Sequence, residues 1–216
     1  MDSGTAPPMD SGSAVDTSVA DTGSVHEAAP VDTGFDAGTV TSTDGFGAAR
    51  TACIDTINAL RATDTAISLK PYTLYNTTTT NSCVDEQAAN DESKDSAHYS
   101  FINNDPNCDW GTADGWAQDE CEGYGNEVGA KGSGAHGTGG TGIVGCLYAM
   151  WAEQYDSNCL GCVGCTAFGG ACANCDYSGE HGPECGHYVN MSAPYFTQVV
   201  CGFAAAPGTW AAQNFE

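Results

Sequence analysis

The chain is short of positive charge. Its 216 residues include five lysines and arginines against 28 aspartates and glutamates, a formal net charge of −23. A field of that sign repels phosphate backbones and anionic lipid surfaces, so no nucleic-acid partner is expected. Divalent cations and basic surfaces suit it better. Long apolar runs are also missing. No stretch of eighteen apolar residues occurs, so no membrane-spanning helix is expected. A secretion leader is not visible, because Met1 runs straight into Asp2 with no basic or apolar segment behind it. Nor is there a G-x-S-x-G turn or a cysteine set apart from the others, so no covalent nucleophile is apparent.

The first 46 residues contain no Cys, Trp, Tyr, Lys, Arg, Leu or Ile. They consist mainly of Asp, Ser, Thr, Gly, Ala, Pro and Val, with loose echoes of one unit: MDSG twice, VDT twice and ADTG once. This segment has eight acidic residues and no basic ones. Low hydropathy with charge of one sign cannot offset the entropy of ordering, so 1–46 is expected to be a disordered acidic tether. A domain over 47–216 follows.

What the chain has in quantity is cysteine, twelve residues of it. An even count at about 6% predicts several disulfides in an oxidising compartment. The expectation is therefore an extracytoplasmic protein, secreted or tethered to the cell surface, whose leader has been removed. Six of the cysteines fall in 157–185, in the run CLGCVGCTAFGGACANC and at Cys185. The C-x-x-C-x-x-C spacing of Cys159, Cys162 and Cys165 has an iron–sulfur look, and Cys172-x-x-Cys175 adds a second pair that zinc could use. The six-residue gap is short for a zinc ribbon, which favours a surface loop stapled by its own disulfides.

Hydrophobic spacing predicts three helices. Ile54, Ile57, Leu60 and Arg61 recur at helical intervals in AARTACIDTINALRATD. A second helix is expected over about 82–97, capped by Asn81 or Ser82 and ending near His98. Val144, Leu147, Met150, Trp151 and Tyr155 share a face of a third. AQDECEGYG reads as a strand, and the C-terminal tail as two strands joined at Pro207-Gly208. Helices and antiparallel strands in this mixture predict an α+β domain.

His98, Glu120, Glu153 and His187 are the candidate site. Two imidazoles and two carboxylates are the ingredients of a divalent metal centre or an acid–base pair. The plainer alternative is a His98 that caps a helix and acids that are solvated. Ser192 lies near His187 in sequence, but a hydroxyl near an imidazole is common by chance. His136 and His181 are expected to be solvated. Asn76 and Asn190 begin glycosylation sequons, with Asn190 expected to be buried.

The stretch CGHYVNMSAPYFTQVVCGF, residues 185–203, resembles the hallmark segment of the CAP superfamily, the cysteine-rich secretory, antigen 5 and pathogenesis-related class 1 proteins that share the SCP domain. CIDTINALRA with LKPYTLYN, CVDEQAANDESKDSAH, AQDECEG and MWAEQYD resemble other family segments in the same order. The insert VNMSAPYF is similar to bacterial members. The resemblance implies an α-β-α sandwich with a central cleft, where two His and two acids can hold a divalent ion. On it, His98 matches the His at the end of the second helix and His187 the Gly-His-Tyr His. Glu153 matches the acid after the Trp, and Glu120 the remaining acid, with Glu122 as its rival. It places His187 at the start of a short turn on the cleft floor, ended by Pro194, with a strand over 196–203 and a Cys185 or Cys201 disulfide pinning the segment. The functional expectation is a non-enzymatic module that binds a small apolar, lipid-like ligand or an extracellular protein, with one divalent cation, zinc, as its possible cofactor. A metal-dependent hydrolase or protease working through the His/Glu cleft is the first alternative, and a purely structural surface module the second.

Overall fold

Among the described residues, the chain forms five α-helices and four strands. The computed structural model describes residues 45–65, 68–75, 78–108, 117–124, 127–163, 182–204 and 210–216. The acidic segment 1–44 lies outside the described residues, as do Asn76, Cys165, Cys172, Cys175, His181 and the Pro207-Gly208 turn.

Helix α1, Gly47–Arg61, forms where Ile54, Ile57 and Leu60 recur on one face, and all three are buried. Helix α2 is Thr78–Lys94 and α3 is Tyr99–Asn103. Helix α2 begins earlier than the capping signals suggest, so Asn81 and Ser82 are interior positions. Its Val84 and Ala88 are fully buried. Packing of that kind outweighs the weak intrinsic helix preference of Thr and Asn. Helix α4 is Gly142–Trp151, and a 3-10 turn continues it over Ala152–Tyr155. That tightening rotates Tyr155 away from the face of Leu147, Met150 and Trp151. Tyr155 is exposed, and its ring stacks 3.5 Å from that of His136, which is also exposed. Helix α5 is Gly182–Ser192. The short turn expected around His187 is thus corrected to a helix. Gly186, Val189 and Asn190 weaken the local helical signal, but Tyr188, Val189 and Met191 are buried there.

Strands β1 (Thr73–Leu74), β2 (Ala117–Cys121), β3 (Gln198–Phe203) and β4 (Ala211–Phe215) form one mixed sheet in the order β1-β3-β4-β2. β1 runs parallel to β3, and the other pairs are antiparallel. The fold is therefore α+β around a four-stranded mixed sheet. Side chains alternate along β3. Val199, Cys201 and Phe203 join one buried cluster with residues of α1, α4 and α5. Val200 joins a second with Val84 and Ala88 of α2. Gly202 lets α2 come this close, since a Cβ there would lie 2.4 Å from the Val84 backbone.

Two of the five basic residues work in the interior. Arg50 pairs with Asp85 at 2.6 Å and donates to the Cys201 carbonyl. Arg61 donates to the carbonyls of Lys70, Met191 and Ala193, which ties α1 to the end of α5. Four disulfides join Cys53–Cys201, Cys83–Cys108, Cys121–Cys146 and Cys159–Cys185. Cys162 is disulfide-bonded as well, so the first two cysteines of the iron–sulfur-like spacing are both oxidised. Among the described residues no cysteine is free and no helix is long and apolar enough to cross a membrane. These features are compatible with an extracellular protein.

Candidate functional site

His98 does not close α2. Helix α2 stops at Lys94, and His98 stands at the N-terminus of α3 in the left-handed region, at φ 60°. A side chain with a Cβ is strained there by roughly 1 kcal/mol or more. Glu120 of β2 holds the turn, because its Oε2 accepts the His98 backbone N–H at 2.6 Å. The His98 ring is anchored separately, with Nδ1 lying 3.0 Å from Gln118 Oε1. Gln118 and Glu120 are two apart on β2 and so point to the same side of the strand.

His187 sits within α5, and its ring meets Glu153 in the 3-10 turn after α4. Glu153 Oε1 lies 2.5 Å from His187 Nδ1, and Oε2 accepts the Tyr188 N–H at 3.1 Å. The Cys159–Cys185 disulfide fixes α5 two residues before the histidine.

All four predicted residues line one cleft of about 390 Å³. Ala97, Glu122, Tyr124, Cys146, Ala149 and Met150 complete its wall. Glu122 therefore lines the cleft too, but it is exposed, whereas Glu120 is buried and carries the contact to His98. Ser192 is not in the lining, and its hydroxyl donates to the Val189 carbonyl within its own helix. Asn190 is buried and donates to Asp119, so its sequon is closed to modification.

The electrostatics of the two histidines diverge. Burial lowers the His98 pKa below its usual 6.5, with the Gln118 contact opposing. Burial also works against a charge on His187, but the Glu153 hydrogen bond and the Asp119 and Glu153 charges outweigh it and raise the pKa to about 9. Glu120 is raised to about 9 by burial first, then by the charge and hydrogen bonding of Asp91. Glu120 Oε1 and Asp91 Oδ2 are both buried and meet no donor among the described residues. A proton on Glu120 supplies the missing donor between them. The cleft thus pushes His98 toward its neutral form, Glu120 toward its protonated form and His187 toward its charged form.

Carboxylate oxygens of the cleft are already taken up in contacts within the fold. Both Glu153 oxygens are engaged, and Glu120 Oε2 accepts a backbone N–H. Among the described residues no three His, Cys, Asp or Glu side chains are grouped to hold a metal ion. In this fold Glu153 holds the His187 ring and Glu120 holds the His98 backbone.

Sequence reasoning missed Gln118 and Asp91. Gln118 was legible from its two-residue offset from Glu120 on a strand. Asp91 was not, because one acid among the several of α2 has no distinguishing pattern. No protein-family model, curated protein or solved structure matches this chain.

Proposed function

We propose that this chain is a secreted or surface-tethered, non-enzymatic binding module of the CAP/SCP kind, which takes a small lipid-like ligand in the His98/His187 cleft. Two buried clusters that draw on alternate residues of β3 support the α-β-α sandwich. The observation that carries the functional reading is the two-sided lining of the cleft. Ala97, Ala149, Met150 and Tyr124 offer apolar surface, while His98, Glu120, Glu153 and His187 offer a polar end. Such a wall suits an apolar body with a small polar head. Cys146, the cysteine among the described lining residues, is locked in a disulfide.

The test is a fluorescence titration with a dansyl-labelled fatty acid. Wild type is expected to bind saturably, and Ala149→Trp, which fills the cleft, to bind at least about tenfold more weakly, roughly the loss of one buried apolar contact. No saturable binding by wild type would favour the structural-module reading. Equal binding by both proteins would move the ligand elsewhere.

A second reading, a metal-dependent hydrolase, is favoured by one feature. Both histidines are anchored through Nδ1. Ligating imidazoles are oriented in this way by carboxylates and carbonyls behind them. Cobalt titration of wild type, His98→Ala and His187→Ala decides it. Equal spectra for all three remove the metal.

A further inference from the structure

Behind His98 runs a file of three buried side-chain amides. Gln118 of β2 donates through Nε2 to Asn214 Oδ1 at 2.9 Å. Asn214 of β4 is the cross-strand partner of Gln118, and it donates through Nδ2 to Gln87 Oε1 at 3.0 Å. Gln87 of α2 directs its Nε2 at the Pro106 carbonyl, 3.4 Å away. All three amides are at most 2% exposed, so water cannot substitute for a lost partner.

We propose that this Gln87–Asn214–Gln118 file is a positioning relay that fixes His98 as its Nδ1–H tautomer. The Pro106 carbonyl can only accept, so Gln87 must present its NH2 there and its oxygen to Asn214. Asn214 must then present its oxygen to Gln118, and Gln118 its oxygen to His98. Reversing one amide sets oxygen against oxygen or NH2 against NH2 inside the protein, which costs far more than the net worth of a hydrogen bond. Gln118 Oε1 can only accept, so His98 Nδ1 must donate. When His98 is neutral, its lone pair is therefore on Nε2. A carbonyl after α3 thereby decides which ring nitrogen is basic in the cleft. Neither Gln87 nor Asn214 is among the cleft's lining residues, so they act on His98 through Gln118. The inference deepens the cleft reading, in which His98 meets the polar head of the ligand.

The experiment uses the full chain labelled with 15N-histidine. Long-range 1H–15N correlation spectra are recorded at about pH 8, above the ordinary imidazole pKa. The wild type is expected to show His98 in the Nδ1–H form. An Nε2–H form or an averaged mixture overturns the proposal without any variant. Asn214→Leu breaks the relay at a residue remote from the ring. It should lower the Nδ1–H to Nε2–H ratio by about tenfold, the scale of one hydrogen bond. A ratio unchanged in a folded Asn214→Leu variant overturns the relay. Should that variant fail to fold, Gln118→Glu decides instead. Glu is accept-only and charged, so it should retain Nδ1–H and raise the His98 pKa, and any other tautomer overturns the proposal. Loss of fatty-acid binding leaves these spectra unaffected, so a failure of the cleft reading and a failure of the relay are told apart.

Discussion

His98 and His187 line the same cleft, yet they are held by opposite means. His98 stands on a left-handed residue between two helices, and neutral amides anchor its ring. His187 stands inside a regular helix, and a carboxylate anchors its ring. Burial acts on both in the same direction, against the charged form. The difference in protonation comes from the partner. An amide oxygen stabilises an N–H without supplying opposite charge, whereas Glu153 supplies both. Two residues of one type thus give the cleft a base on one side and a cation on the other.

The largest test of this contrast removes a staple from either side. Cys159–Cys185 closes 26 residues on the His187 side, and Cys83–Cys108 closes 25 on the His98 side. Loop-closure entropy gives each about 3–4 kcal/mol. The paired alanine variants should each lower Tm, and histidine NMR should register the first mainly at His187 and the second mainly at His98. Uniform changes at both rings would show that the two sides are not independent.

A pH series comes next in size. His187 binds its proton more tightly folded than unfolded, so its contribution is full below about 6.5 and is lost as pH rises through about 9. Glu120, raised from 4.5 to about 9, acts in the same direction across that span, since only the folded state keeps its proton. His98 opposes them, because its depressed pKa adds stability as pH rises toward 6.5. Between pH 6.5 and 9 the decline is unopposed by His98 and should amount to a few kcal/mol, at about 1.4 kcal/mol per tenfold change in proton affinity. Urea unfolding at the two ends measures it, and a flat profile would sink the charge assignment.

Glu153→Gln sharpens the contrast at a single atom. The variant retains one acceptor for two donors and loses the charge. The His187 pKa should drop from about 9 toward 6.5, read by NMR titration, while that of His98 should rise a little, because the His187 charge is one of the causes that depress it. The smallest effect belongs to Glu120→Gln. A protonated carboxyl and an amide have the same shape, and the amide N–H can reach the buried Asp91 Oδ2. Stability at neutral pH should change by no more than ~1 kcal/mol, the worth of one hydrogen bond. A loss several times larger would mean that Glu120 is ionised in the fold.

How much of this was legible depends on the kind of signal. Helix α1 announces itself through apolar periodicity, which survives in one dimension. Helix α5 was hidden, because Gly186 and Asn190 are poor helix formers and the residues that stabilise the helix are buried against distant elements. The four residues of the cleft could be named from their types and their order along the chain. Their roles could not. That Glu153 Oε1 meets His187 Nδ1 was not legible, because the two residues are 34 apart in sequence.

The sequence by itself determined the acidic field, the wealth of cysteine, the α+β class and the residues worth watching, since these follow from composition and local spacing. Only the tertiary structure decided which cysteines join, which acid keeps its proton and which histidine carries charge. Those properties depend on burial and on partners across the sheet. A neutral Gln118 and a charged Glu153 produce opposite outcomes on identical imidazoles, and nothing near either histidine in the chain says which of them it will meet.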